Sequence, residues 1–566
     1  MKCREYIIQL GGPVLKVLLI VLPLISLMVC KNSNCIGLWL PYTVLASVLS
    51  AIVCIQLFLQ RDYSVNIADI LLCLYGLYVI IRIWCAKESY IEPLSVLKWM
   101  LFALLYISGR LSDKNVIPLV LIAIGVYGVL SYLLSFFSNP GHLGAYISVG
   151  LSGTIGLITE KDRNPSEKIF LLGLGIVLLV ILFLSKSRGA LLALVIVSVY
   201  LFIRSNKNMH LNLNKKLLLF LLLSGVVSVV VFFLYKLRTG SADVRMLIWL
   251  SSGAAFLKAP IWGYSSGAVQ SLYMLWQAEY FQMNPCSFFV PFATNHYQTF
   301  NEYIHILCEQ GLAGFIIFTL FVLYVFRKCT SVGLIAASLS LGVSSFFLYT
   351  YDIFPIIILV PLFLGFANRC DIISGYSNGE DKKIRLHIRF IICAVVLSIS
   401  FFICGEVGRK YSLAEKELKE FISLTEDSVS NRLHPLKESV IFRNKDMALL
   451  YATHSYLLSP EDRISVLEQC SKKIFVVEMM SILGNLYLNS SLNDKAERCF
   501  ILAHYMAPDR IGPKYDLFKL YCDNDNKEKT KEWADKILLS SPRIYNAVTV
   551  EIKAKVRAFI NSEQRK

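Results

Sequence analysis

The sequence predicts an all-α protein in two parts. Residues 1–404 form a polytopic bundle of about 12–13 transmembrane helices with one large outer loop, and residues 412–566 form a helical solenoid. Three observations lead there. The chain of 566 residues is 56% hydrophobic and only 17% charged, with a mean hydropathy of +0.58, where soluble domains run nearer a quarter charged. The charge is uneven: residues 1–404 hold 30 Lys and Arg against 17 Asp and Glu, and residues 405–566 hold 26 against 23. The first part consists of long apolar runs, and the second repeats a helical pattern. A disordered chain and an ordinary soluble enzyme are thereby excluded. The net charge of +16 sits mostly in the membrane part, where basic loops set topology. It draws no basic stripe on a soluble fold, so no nucleic-acid partner is expected.

Apolar stretches long enough to cross roughly 30 Å of hydrocarbon fall near 13–30, 36–59, 67–85, 92–109, 116–137, 144–159, 168–185, 188–204, 216–235, 311–327, 332–349, 353–368 and 388–404. The run after Lys2 and Arg4 has no small-residue cleavage site, so it is expected to remain as the first span. With the N-terminus inside, the inner loops carry nineteen Lys and Arg and the outer loops eight. That asymmetry favours this orientation. It puts the 236–310 loop and the tail on the outer side.

The tail carries a period of 34. With Val477 first, Leu483-Gly484, Tyr487, Ala496, Phe500, Ala503 and Pro508 take the Leu-Gly, Tyr, Ala, Phe, Ala and Pro positions of a tetratricopeptide repeat. A second copy from Ile511 keeps Leu517, Tyr521 and Pro542, and Ala448, Ala452 and Pro460 match the second half of a third. Small residues are needed where paired helices approach, and Pro ends the second helix.

Four places in the membrane part could carry chemistry. Ser185-Lys186-Ser187-Arg188-Gly189-Ala190 sets two cations at an outer helix end, where an Arg fork suits a phosphate or diphosphate. Lys236, Arg238 and Arg245, with Trp249 one turn on, face only one nearby acid, Asp243, and again suit an anion. Pro260-Ile261-Trp262-Gly263 opens a turn-rich stretch that lacks the Gly-Lys-Ser/Thr of a P-loop. Last, Asn301, Glu302, His305 and Glu309 enter the tenth span. Glu302-x-x-His305 has a di-iron spacing, but such a site needs a second copy and more Glu, so neither a metal nor another cofactor is expected. A His or a partly buried Glu beside the cations could instead deprotonate a hydroxyl.

The order of these elements resembles the O-antigen ligase and polymerase superfamily: Arg188-Gly189-Ala190 opening a span, Arg245 to Trp249, Pro260 to Gly263, then Asn301-Glu302-Tyr303 with Glu309, Gly311 and Gly314. The resemblance covers roughly residues 100–330 and lies in the order more than in any one motif. It implies a metal-independent glycosyltransferase of the bacterial inner membrane. Such an enzyme moves a glycan from an undecaprenyl-diphosphate carrier to an acceptor on the periplasmic side. The family's diphosphate-holding arginines carry over to Arg188 and Arg245, with Lys186 and Arg238 as further cations. In the ligase pattern a His stands immediately before Asn301, but this chain has Phe300 there. His296 or Glu302 then takes the role of base, or no strong base is used; Asn301 completes the expected catalytic group. The acceptor is a lipid A core, another carrier-linked repeat unit or a protein, and the repeat tail suits a large acceptor or protein partner. A lipid-linked glycan transporter is the rival class; it would bury charges along several spans, where only Asp69, Arg82 and Asp352 lie near or inside them.

Overall fold

The computed structural model describes residues 16–25, 39–59, 65–86, 93–160, 163–205, 239–369, 379–423, 439–542 and 545–563. These residues form an all-helical protein. In chain order the membrane part contains α1 (Lys16–Ile25), α2 (Trp39–Leu59), α3 (Ile67–Cys85), α4 (Pro93–Arg110), α5 (Val116–Leu133), α6 (Pro140–Ile158), α7 (Pro165–Leu184) and α8 (Arg188–Ser205). It continues with α9 (Thr239–Lys258), α10 (Ala268–Met283), α11 (Glu302–Arg327), α12 (Val332–Ser344), α13 (Phe354–Ile357), α14 (Leu359–Ala367) and α15 (Gly379–Ser423).

Among the described residues, seven helices are long and apolar enough to cross a membrane: α2, α3, α5, α6, α7, α11 and the Arg389–Ser423 part of α15. Three expected stretches are shorter apolar helices, namely α1, α12 and the broken pair α13 and α14. The stretches at 92–109 and 188–204 are the 18-residue helices α4 and α8, and 216–235 lies outside the described residues. The break in the twelfth stretch has a local cause. Pro355 and Pro361 remove two amide donors from a short run, and the chain turns at Thr350–Asp352 before it.

Helix α6 is the hub, packed on by α5, α7, α8 and α12. Small residues allow the approach: a Cβ on Gly156 would lie 2.7 Å from Gly333 Cα, and one on Gly109 would lie 2.7 Å from the Leu362 carbonyl oxygen. Close small-residue contacts of this kind drive helix association in lipid. The three charges expected near or inside spans are each engaged. Asp69 pairs with buried Arg110 and accepts from the Tyr106 hydroxyl at 3.0 Å. Arg82 donates to the Gly263 carbonyl at 2.9 Å. Asp352 accepts from Lys98 at 2.5 Å and from Gln298 at 2.9 Å.

Residue 404 lies within a helix. Helix α15 runs unbroken for 45 residues out of the bundle, and Trp39 at the head of α2 donates to its Glu415 at 2.8 Å. Beyond it lie α16 (Ser439–Arg443), α17 (Lys445–His454), α18 (Pro460–Lys473), α19 (Val477–Asn489), α20 (Asn493–Met506), α21 (Ile511–Asp523), α22 (Lys527–Leu539) and α23 (Ala547–Glu563). The α19–α20 pair is repeated 34 residues later as α21–α22. Gly484 permits the first pair to close, since a Cβ there would meet the Phe500 ring at 2.4 Å.

The tail packs back on the bundle. Gln277 of α10 donates to the Met506 carbonyl at 2.5 Å, and Asn295 donates to Glu478 at 2.8 Å. Arg510 holds Glu478 as an ion pair, and the Tyr505 ring joins buried Leu247, Phe281 and Ala293. The C-terminal helices therefore lie at the same end of the bundle as the 239–301 segment.

Candidate functional site

Two short sequence elements interlock to build this end. Helix α11 is broken at Gly311, whose φ is +64°, and Gly263 has a φ of +67°. Both lie in the left-handed region that a Cβ disfavours. The break frees backbone groups on α11, and the Pro260–Ser265 turn takes them up. Tyr264 and Ser265 amides donate to the Cys308 and Glu309 carbonyls, each at 2.8 Å. The Leu312 and Ala313 amides donate to the Pro260 and Ile261 carbonyls at 2.8 and 3.1 Å. The Glu309 carboxylate accepts the Gly267 amide at 2.8 Å and the Val269 amide at 3.3 Å, satisfying the start of α10. The Pro-x-x-Gly and Glu-x-Gly-Leu-x-Gly elements thus form one structural clamp, and Arg82 braces it through Gly263.

The clamp fixes the chain before α11, which runs without helix from Thr294 to Asn301. Trp249 pins it, with the indole donating to the Thr299 carbonyl at 3.1 Å. The Trp249 ring also rests 6.4 Å from the Phe347 ring, and Phe347 in turn meets Gly189, next to Arg188. Replacing Trp249 with Phe keeps a ring on Phe347 and removes the bond, so a loss of about 1 kcal/mol is expected. Denaturation in detergent checks this, and unchanged stability would mean the indole bond does not hold the segment.

Phe300 then lies under Arg245, whose guanidinium sits 5.8 Å from the ring centroid, within cation–π range. Phe300 has a φ of +50°, so a bulky residue is held in the left-handed region by its surroundings. Burial, and after it the charge of Arg188, lowers the Arg245 pKa. Arg188 and Arg245, 57 residues apart in sequence, therefore act on each other as like charges at one site. Lys186 stands exposed on the turn before Arg188 with a φ of +50°. Arg238 and Lys236 lie outside the described residues.

The expected catalytic residues separate. His296 is not one helical turn before Asn301, because the helix begins only at Glu302. The extended segment nonetheless brings its ring to 6.0 Å from Phe300 and 6.4 Å from Tyr273. Its Nε2 lies 2.7 Å from the Thr294 hydroxyl, and burial pushes its pKa down to about 4, leaving the imidazole neutral at pH 7. Asn301 is the N-cap of α11: its side-chain oxygen accepts the Tyr303 and Ile304 amides at 3.0 and 3.2 Å. Glu302 accepts the Tyr351 amide at 2.7 Å. It lines, with His305 and Glu309, a largely apolar cavity of about 290 Å³ between α3, α4, α11, α12 and α14. His305 pairs with Glu309 at 3.3 Å. Among the described residues, no group of three or more His, Cys, Asp or Glu is arranged to hold a metal.

Two residues at the site have no signal in the sequence. Tyr349 stacks edge-on against Phe300 at 5.1 Å, and His142 meets the Tyr349 hydroxyl at 3.1 Å. The pair is separated by 207 residues, and neither stands in a recognisable motif.

Every element of the clamp and both arginines fall inside one matched region. Residues 173–319 fit the family model described as O-antigen ligase. No curated protein matches the chain. The chain thus carries an O-antigen ligase family domain within a multi-span helical membrane protein.

Proposed function

We propose that this protein transfers a glycan from an undecaprenyl-diphosphate carrier to an acceptor at the periplasmic face of the bacterial inner membrane. The observation that carries this reading is the pair Arg188 and Arg245, near enough to act on each other as like charges, with Arg245 set over the Phe300 ring. A diphosphate has acceptor oxygens enough to engage both guanidinium groups. In the reaction an acceptor oxygen bonds to the anomeric carbon, and the carbon–oxygen bond to the diphosphate breaks. The leaving diphosphate takes the bonding electrons, and fixed guanidinium groups stabilise it most where that charge develops. Lys186, exposed on the turn before Arg188, adds a further cation.

Of the residues expected to act on the acceptor, His296 is the one this reading keeps beside the arginines. Asn301 supports the site as a helix cap, and Glu302 belongs to the neighbouring cavity. No cofactor or metal enters the reaction. The excess of basic residues in the opposite loops supports the periplasmic orientation. The C-terminal helices share the site's end of the bundle, and their 34-residue repetition supports a tetratricopeptide-like domain that receives a large acceptor or a partner protein. Asp69, Arg82 and Asp352 each serve a fixed structural contact, which speaks against a transporter.

The test is a surface-glycan profile of a deletion strain beside its carrier-linked pool. Loss of surface glycan with full-length chains on the periplasmic carrier is the expected result for transfer to lipid or protein. Single repeat units there would mean polymerisation by the same chemistry. Accumulation on the cytoplasmic face would mean transport and would overturn the proposal.

A further inference from the structure

The transfer step must dispose of the acceptor's proton, and Phe300 occupies the position from which a histidine would be expected to take it. Another imidazole reaches the same aromatic floor from a different helix. His142 lies in the first turn of α6, and its Nε2 is 3.1 Å from the Tyr349 hydroxyl, with the two rings perpendicular at 5.2 Å. The Tyr349 ring lies on Phe300, which carries Arg245.

The same turn of α6 also touches the support of Arg188. A Cβ on Gly144 would fall 2.2 Å from Ser187 Cβ, immediately before Arg188. On the other side, Gly189 packs on Phe347, two residues before Tyr349. The His142–Tyr349 pair therefore sits between the mountings of the two arginines. Both residues keep part of their surface exposed, so a substrate can reach them. His142 is not the cap of α6, which is Asn139, accepting the Gly141 amide at 2.8 Å.

We propose that Tyr349 and His142 form the proton relay for the acceptor hydroxyl. This inference rests on the transfer reading above and adds the route of the proton. Tyr349 donates to His142 Nε2, so His142 carries its own proton on Nδ1. As the acceptor oxygen bonds to the anomeric carbon and the diphosphate departs with its electron pair, the acceptor proton moves to the Tyr349 oxygen. The Tyr349 proton moves at the same time to His142 Nε2. His142 then returns a proton to solvent, and the pair is reset. Tyr349 is the group that touches the acceptor; His142 acts through it.

The test uses the full-length protein in membrane vesicles from the deletion strain, which hold the strain's own accumulated donor and acceptor. Tyr349→Phe keeps the ring on Phe300 and removes the transferable proton. The rate of transfer is expected to fall about 100-fold or more, with half-saturation by donor unchanged. His142→Ala is expected to fall comparably and to recover in part when imidazole is added, which a merely structural histidine would not do. Melting in detergent checks that both variants are folded. Rates within about threefold of the parent in both variants, with Arg245→Ala inactive, would overturn the relay and leave the transfer reading standing. Imidazole rescue of His296→Ala instead would assign the proton to His296 and overturn the relay. Parental rates in Arg188→Ala and Arg245→Ala would overturn the transfer reading and the relay together.

Discussion

Arg188→Ala and Arg245→Ala, made singly, are each expected to reduce glycan transfer by about 10²–10³-fold, equivalent to about 3–4 kcal/mol of lost charge stabilisation at the leaving group. The physical basis is the arrangement over Phe300. Arg245 has a ring beneath it and feels the charge of a second guanidinium, and on the proposed reading the two cations share the diphosphate. Arg245→Lys should recover little, because an ammonium lacks the planar fork that grips two phosphate oxygens. Both variants are expected to fold and to insert in the membrane normally. Transfer assays in vesicles and melting in detergent separate the two effects. Parental transfer rates would remove both arginines from the reaction, and a large loss of stability would recast them as structural.

The second large effect concerns folding. Gly311→Ala and Gly263→Ala are each expected to prevent accumulation of the folded protein. A Cβ on Gly311 would stand 2.3 Å from the Ile261 carbonyl oxygen, and one on Gly263 would stand 2.6 Å from the Glu309 carbonyl oxygen. Both contacts are with backbone, so no side chain can rotate away. The left-handed φ adds about 1–2 kcal/mol for any other residue. Forcing the strands of the clamp apart also gives up four hydrogen bonds of about 1 kcal/mol each. Gly173→Ala is the control: nothing lies within 4 Å of that Cβ, and alanine in a helix interior gains about 0.5–1 kcal/mol over glycine. Membrane abundance of the three variants decides the matter. Normal levels of Gly311→Ala would mean that the clamp is not what holds α10 to α11.

Much of the helix content was legible because lipid demands it. A run such as Ile67–Cys85 must satisfy its backbone internally and present apolar side chains, so its composition alone declares a helix. The repeated helices were equally plain: Gly484 and Phe500 stand at the offset that a closing helix pair needs. Ends and breaks were less legible. Helix α6 begins at Pro140 rather than 144, since Asn139 caps it and Pro140 suits its first turn. Helix α15 runs on through residue 404 because no Pro interrupts Arg389–Ser423, and apolarity marks only its membrane-facing length.

The site divides in the same way. Gly263 and Gly311 are distinctive in sequence because a left-handed turn needs a residue without a Cβ, and Arg188 and Arg245 because a guanidinium suits the anion proposed for them. Only the fold decided that Pro-x-x-Gly and Glu-x-Gly-Leu-x-Gly are two halves of one clamp, and that Asn301 caps a helix while Glu302 faces a separate cavity. It alone brought His142 to Tyr349 and set the C-terminal helices at the same end as the arginines. Local composition reports what each segment must satisfy within itself. Contacts between residues a hundred or more positions apart leave no local pattern, because they arise from which helix faces meet once the bundle has packed.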